Sequence, residues 1–217
     1  MTETAPVGEE AAVAALERAT AEWAAGGDEP RPAQIASVRV VVLVEGASDR
    51  AAVHAAAGVL GRDPAAEGTA VVPMGGAMSI RRFAGVFAKG GGPTGPRGAP
   101  ELRGLCDVAE RRFYERAGLA DSAIAVCDPD LEGELIEALG LPATEEVLAR
   151  AGDLRLFRTF QNQPAQRSRP EAAQLHRFFG TTAGRKEQYG RLLTAALPPA
   201  RLPRPLLTVL GALRPRA

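Results

Sequence analysis

Three apolar runs in this sequence lead into carboxylates. "VRVVVLVE" closes on Glu45, "ELRGLCD" on Asp107 and "SAIAVCD" on Asp128, with Asp130 and Glu132 just beyond in "DPDLEGE". Asp49 follows Glu45 by four residues, about one helical turn. Carboxylates gathered without histidine or thiolate suit a hard divalent cation, Mg²⁺ or Mn²⁺, which takes oxygen ligands and keeps several waters. Packed together without a cation they would repel, and some would stay protonated. One or two such ions can drive phosphodiester chemistry: one activates water and the other stabilises the leaving oxygen. The histidines are expected to add nothing, since His54 falls in a helical pattern and His176 in a basic segment, each alone.

The elements that must position these acids are legible. Val38–Val44 is a continuous β-branched run, as expected of a strand buried on both faces of a parallel sheet. Further strands are predicted over Gly68–Met74, Glu101–Asp107 and Ser122–Asp128. Helical patterns lie between them: one from an N-cap at Ser48 to Gly61, one after "PMGG", and one over "VAERRFYERAG". "LEGELIEALG", a helix capped by Thr144, "PEAAQLHRFFG" and "GRKEQYGRLLTAAL" follow, while "DLRLFRTFQNQP" reads as less regular. The "KGGGPTGPRG" stretch reads as a flexible connection. Strands alternating with helices predict a doubly wound α/β fold, whose ligands bind beyond the carboxyl ends of the strands. That edge is where Glu45, Asp107 and Asp128 or Asp130 would collect.

A chain of 217 residues fits one domain, or one core with helical extensions. No apolar run approaches the roughly 18–20 residues of a membrane span, and the acidic N-terminus lacks the basic region of a signal peptide. A cytoplasmic protein without membrane contact is expected, with Cys106 and Cys127 as buried thiols. The zero net charge hides an asymmetry. Residues 1–153 carry 14 Arg/Lys against 24 Asp/Glu, whereas residues 154–217 carry 12 against 2. Such a split points either to an anionic partner or to pairing of the two halves.

The segments also carry a resemblance. "VLVEGASD" resembles the first motif of the TOPRIM domain shared by topoisomerases, primases and OLD-family nucleases. "PMGGAMSI", "LRGLCDVAE", "CDPDLEGELIEALG" and "GRKEQYGRLL" are similar, in order, to later segments of the OLD-type branch. The resemblance implies a TOPRIM (Rossmann-like), mostly parallel sheet flanked by helices. It implies an N-terminal helix and linker over 1–35, a TOPRIM core over 36–141, and a basic, mostly helical extension over 142–217 that packs on the core and supplies Lys186. Glu45 would be a metal ligand or the general acid/base. Asp49, Asp107, Asp130 and Glu132 would be metal ligands, and Lys186 would face the scissile phosphate. Gly46 would let the chain turn beside the phosphate, with Arg185 a further phosphate contact.

The sequence departs from that pattern in places. The family's Asp-x-Asp reads Asp107-Val108-Ala109, so one carboxylate is absent and Glu110 is the adjacent candidate. Asp128 competes with Asp130 for one ligand position. No Walker A motif accompanies the domain, because "GTTAGRKE" has short spacing and no Ser/Thr after Lys186. The resemblance therefore implies a free-standing domain, with an ATPase partner in trans and a homo-oligomer both left open. The expected function is Mg²⁺- or Mn²⁺-dependent, endonuclease-like hydrolysis of DNA, held through its backbone without sequence preference. Two alternatives stand beside it. One is a non-catalytic module docking DNA or an ATPase; the other is a nucleotidyl transferase or hydrolase for a small phosphorylated substrate.

Overall fold

The computed structural model describes residues 8–89, 98–182 and 184–211. The first seven residues of the expected N-terminal helix, most of "KGGGPTGPRG" and the last six residues of the chain lie outside the described residues. Four strands form one parallel sheet: β1 (Val40–Val44), β2 (Thr69–Pro73), β3 (Glu101–Asp107) and β4 (Ile124–Cys127), in the order β2-β1-β3-β4. The strand order reverses between β1 and β3, so the crevice between their carboxyl ends is the point where such sheets bind ligands.

β1 shows why its sequence is apolar throughout. Successive side chains point to opposite faces. Val42 and Val44 enter one core, and Val41 and Leu43 enter the other. The second core is covered by α1 (Glu9–Ala24), α2 (Pro32–Ile35), α4 (Ile80–Lys89) and α5 (Arg111–Arg116). Trp23 of α1 packs on Phe83 of α4, with ring centroids 4.7 Å apart. Glu17, also on α1, accepts the Val71 N–H at 2.9 Å, which satisfies a backbone donor on the edge strand β2.

The first core is covered by α3 (Ala47–Val59), α6 (Leu131–Leu139) and the helices of the C-terminal part. These are α7 (Leu141–Arg150), α8 (Leu154–Gln161), α9 (Glu171–Phe179), α10 (Arg185–Ala195) and α11 (Arg204–Val209). Phe157, Phe178, Phe179 and Tyr189 are fully buried there, and the Phe179 and Tyr189 rings stack at 4.5 Å. The basic segment therefore shares one hydrophobic core with the sheet.

The irregular stretch expected over 153–164 is in fact α8. Its Phe157 and Phe160 are buried three residues apart, a helical spacing that the flanking arginines hid. Thr144 does not cap α7 but lies within it, its hydroxyl bonded back to the Gly140 carbonyl at 2.9 Å. Two close approaches fix the layers. A β-carbon at Gly104 on β3 would sit 2.5 Å from the Tyr114 ring. One at Gly190 on α10 would sit 2.7 Å from the Ser48 carbonyl oxygen on α3. Only glycine lets α10 lie this close to α3, and that contact positions Lys186 near the start of α10.

Candidate metal centre

Glu45 stands directly after β1, and Asp107 ends β3 one strand away. The Asp107 N–H points at Glu45 Oε1 across 3.4 Å. Glu110 completes this group. Its N–H donates to the Asp107 carbonyl at 2.9 Å, so the chain turns back on itself immediately after the strand. Carboxylate oxygens of Glu45, Asp107 and Glu110 all lie within 4.8 Å of one another. Glu110 Oε2 is buried, and no N–H or O–H group among the described residues reaches it.

A second group gathers beyond β4. Asp130 caps α6, its Oδ1 accepting the Gly133 N–H at 2.8 Å. Its Oδ2 lies 2.6 Å from His176 Nε2 on α9. Glu132, on the first turn of α6, is buried and pairs with Lys186 Nζ at 3.1 Å. Ligand atoms of Asp130, Glu132 and His176 again lie within 4.8 Å of one another. Asp49 interacts electrostatically with both groups, through Asp107 on one side and through Glu132 and Lys186 on the other. Its Oδ2 accepts the Gly46 N–H at 2.9 Å, which caps α3 from inside the helix. The start of α3 is thus set by Gly46 and Asp49, not by Ser48.

The electrostatics are those of a cluster short of positive charge. Burial, then the adjoining Glu110 carboxyl and the charge of Asp107, push the Glu45 carboxyl up to about 8. Burial and the charges of Asp130, Asp49, Glu132 and Glu110 push Asp107 up to about 7. Asp49 rises to about 6, mainly through burial, with the Gly46 hydrogen bond opposing it. The second group behaves differently. Burial pushes Asp130 up, but the His176 hydrogen bond, the Gly133 N–H and the charges of His176 and Lys186 outweigh it and hold Asp130 below its usual range. The Asp130 hydrogen bond in turn raises His176. Burial depresses Lys186, yet Glu132, Asp130 and Asp49 together hold it above its ordinary value.

These donors fit divalent cations. A cation would offset the burial and the repulsion that raise Glu45 and Asp107, and would give the buried Glu110 oxygen a partner. The second group already holds one protein cation, Lys186, and its Asp130 is hydrogen-bonded to His176, so its need is smaller.

Several sequence expectations are relocated by the geometry. His176 is not an isolated residue of a basic segment but the partner of Asp130. Nothing local to "AAQLHRFF" announces this, because the pairing depends on which helix α9 faces. Glu110 supplies the carboxylate absent at Ala109. The signal was its nearness to the gap, but the turn that carries it back was not foreseen. Between the two rival aspartates, Asp130 joins a cluster, whereas the Asp128 side chain is exposed beside a cis Asp128–Pro129 bond and is in neither group. Arg185 does not reach the rim. Its guanidinium bonds Thr181 Oγ1 at 2.6 Å, faces Asp153 at 3.6 Å and lies over the Phe178 ring at 4.3 Å. Gly46 has an extended backbone that any residue adopts, so no turn requires glycine there. A β-carbon at that position would meet no protein atom within 4 Å.

Comparison with known proteins agrees with this architecture. Residues 38–94 match the family model described as "Overcoming lysogenization defect protein-like, TOPRIM domain". No curated protein matches the chain. Among solved structures, the C-terminal region of the Burkholderia pseudomallei OLD protein is 18% identical and superposes with a TM-score of 0.56, covering 80% of this chain and 96% of its own. The C-terminal region of the Xanthomonas campestris pv. campestris OLD protein is 22% identical with a TM-score of 0.57, covering 80% and 93%. Residues 38–94 are therefore an OLD-type TOPRIM segment, set in the fold of the OLD C-terminal region.

Proposed function

We propose that this chain is a metal-dependent phosphodiester hydrolase acting on DNA, of endonuclease-like type. The observation that carries the reading is the convergence of Glu45, Asp107 and Glu110 with Asp130, Glu132 and Lys186 on one sheet edge. Glu45, Asp107 and Glu110 are the residues that would hold one ion, and Asp130, Glu132 and His176 a second. Bound Mg²⁺ or Mn²⁺ would supply activated water and neutralise charge on the phosphoryl oxygens. The protein's own groups do the rest. Glu45 carries a proton up to about pH 8 only in the metal-free site, and would give it up when its carboxylate takes an ion. Lys186 stays charged and is aimed by Glu132, so it can meet the charge that develops on the phosphate.

The basic C-terminal part supports backbone contact. Arg158, Arg185 and Lys186 are used internally against Glu145, Asp153 and Glu132, so part of the charge asymmetry is indeed pairing of the two halves. Arg155, Arg191, Arg201 and Arg204 are exposed. They suit sequence-independent contacts that weaken with salt. The test is plasmid nicking with Mg²⁺ or Mn²⁺. Nicking is expected for the native chain and lost in Glu45→Gln and Asp107→Asn. Nicking that survives both substitutions would overturn the assignment.

A further inference from the structure

A groove of about 760 Å³ opens between α6 and α9, immediately beside the Asp130–His176 pair. It lies within the roughly 300–1,000 Å³ typical of small-ligand sites. Asp130 and His176 belong both to its lining and to the second metal-binding group. Whatever occupies the groove is therefore in contact with the rim. Ile136 and Leu141 on one side, with Ala172 and Ala173 on the other, make its walls apolar. Arg169 and Arg177 also line it. Both are exposed, and neither forms an ion pair with a described residue. Arg169 is only anchored, through Nε, to the Ala165 carbonyl at 3.1 Å.

An apolar trough that begins at a metal-binding carboxylate and carries two unpaired guanidinium groups has the chemistry of a nucleotide site. A sugar and base can lie against aliphatic side chains, while the neighbouring phosphate meets arginine. We infer that this groove seats the nucleotide adjoining the scissile phosphodiester, with its next phosphate held by Arg169 and Arg177. The inference rests on the phosphodiesterase reading and gives it a direction: the strand leaves the metal rim past His176, between α6 and α9. No Phe, Tyr or Trp side chain lines the groove, so the seat grips any base chiefly by apolar contact. Glu137, exposed on α6, is an acid in the same lining and opposes a passing phosphate.

The experiment separates the groove from the chemistry. Fluorescence anisotropy with a short labelled oligothymidylate in Ca²⁺ reads binding, and hydrolysis of bis(p-nitrophenyl) phosphate in Mn²⁺ reads the metal centre with a substrate too small to need the groove. Arg169→Ala/Arg177→Ala should weaken oligonucleotide binding about tenfold. It should also flatten the dependence of log affinity on log salt by about 0.7, the value for one lost phosphate contact on a single strand. Hydrolysis of the small ester should be unchanged. Ala172→Trp, an exposed position that fills the trough, should weaken binding with the salt slope kept, and Glu137→Gln should tighten it. Unaltered oligonucleotide affinity and slope in the double arginine variant overturn the inference, as does native affinity in Ala172→Trp. Failure of the native chain to hydrolyse the small ester counts against the metal-centre reading alone, and the binding arms still decide the groove.

Discussion

Replacing Glu45 with glutamine should make the metal-free protein more stable at alkaline pH. Glu45 has its carboxyl pushed up to about 8 from an ordinary value of 4.5. For a carboxyl raised on folding, the unfolded chain loses its proton first. The folded state is then penalised progressively as pH rises through the interval between the two values, and the penalty is constant above it. At roughly 1.4 kcal/mol per tenfold displacement, the full interval would be a large cost. The side chain is only half buried, so solvent screening leaves about 1–2 kcal/mol at pH 8. Glutamine keeps the shape and removes the charge. Thermal unfolding in EDTA should show the two proteins alike near pH 4. The variant should pull ahead by about 2–8 °C at pH 8, taking roughly 2–4 °C per kcal/mol for a chain of this size. Saturating Mn²⁺ should reverse the ranking, because a ligand held at 100 times its dissociation constant adds about 2.7 kcal/mol to a protein that binds it. A variant less stable than the native chain in EDTA at pH 8 would refute the picture of Glu45 as an unrelieved charge. A variant that gains as much as the native chain from Mn²⁺ would refute its role as a ligand.

Three further outcomes follow from the same geometry. Glu110→Gln should weaken Mn²⁺ binding more than about tenfold by calorimetry, and adding Ala109→Asp should not restore it, because the turn, not the strand, delivers the carboxylate. His176→Asn should remove about 1 kcal/mol of stability at pH 5–6, where Asp130 is ionised and the raised imidazole is protonated. That loss should shrink as pH climbs past the imidazole's folded value, and melts of the two proteins across this range would show whether the gap closes. Gly190→Ala should cost about 1–3 kcal/mol through the clash with the Ser48 carbonyl oxygen. It should also lower phosphodiesterase activity more than Gly58→Ala, whose β-carbon meets nothing.

The sheet was legible because its signals are local. An uninterrupted run such as Val40–Val44 has few physical outcomes besides a strand buried on both faces, and the parallel topology then collects Glu45 and Asp107 at one edge. The ends of elements were less legible. The cap of α3 depends on the Asp49 carboxylate reaching back to the Gly46 N–H. Ser48, a good cap by residue type, lies inside the helix instead. Arg185 looked like a phosphate contact because it precedes Lys186. Neighbours on a helix point about 100° apart, so when Lys186 faces the rim, Arg185 turns to Asp153 and Phe178. His176 was not readable, since its meaning depends on α9 crossing α6 some 46 residues away.

The gap at Ala109 has a physical resolution that bears on the chemistry. A second acid two residues beyond Asp107 would continue the strand's alternation and share its face. Here the strand stops at Asp107, and the Glu110 N–H closes a turn on the Asp107 carbonyl. A carboxylate carried by that turn approaches from the side, and the extra methylene of glutamate supplies reach that aspartate lacks. Its Oε2 ends buried and without a hydrogen-bond donor, in the same cluster as the Glu45 carboxyl. A chain that had merely lost a ligand would be expected to fill this space with apolar atoms, since an unpaired buried oxygen is costly to keep. A carboxylate oxygen placed there is what the proposed cation site needs.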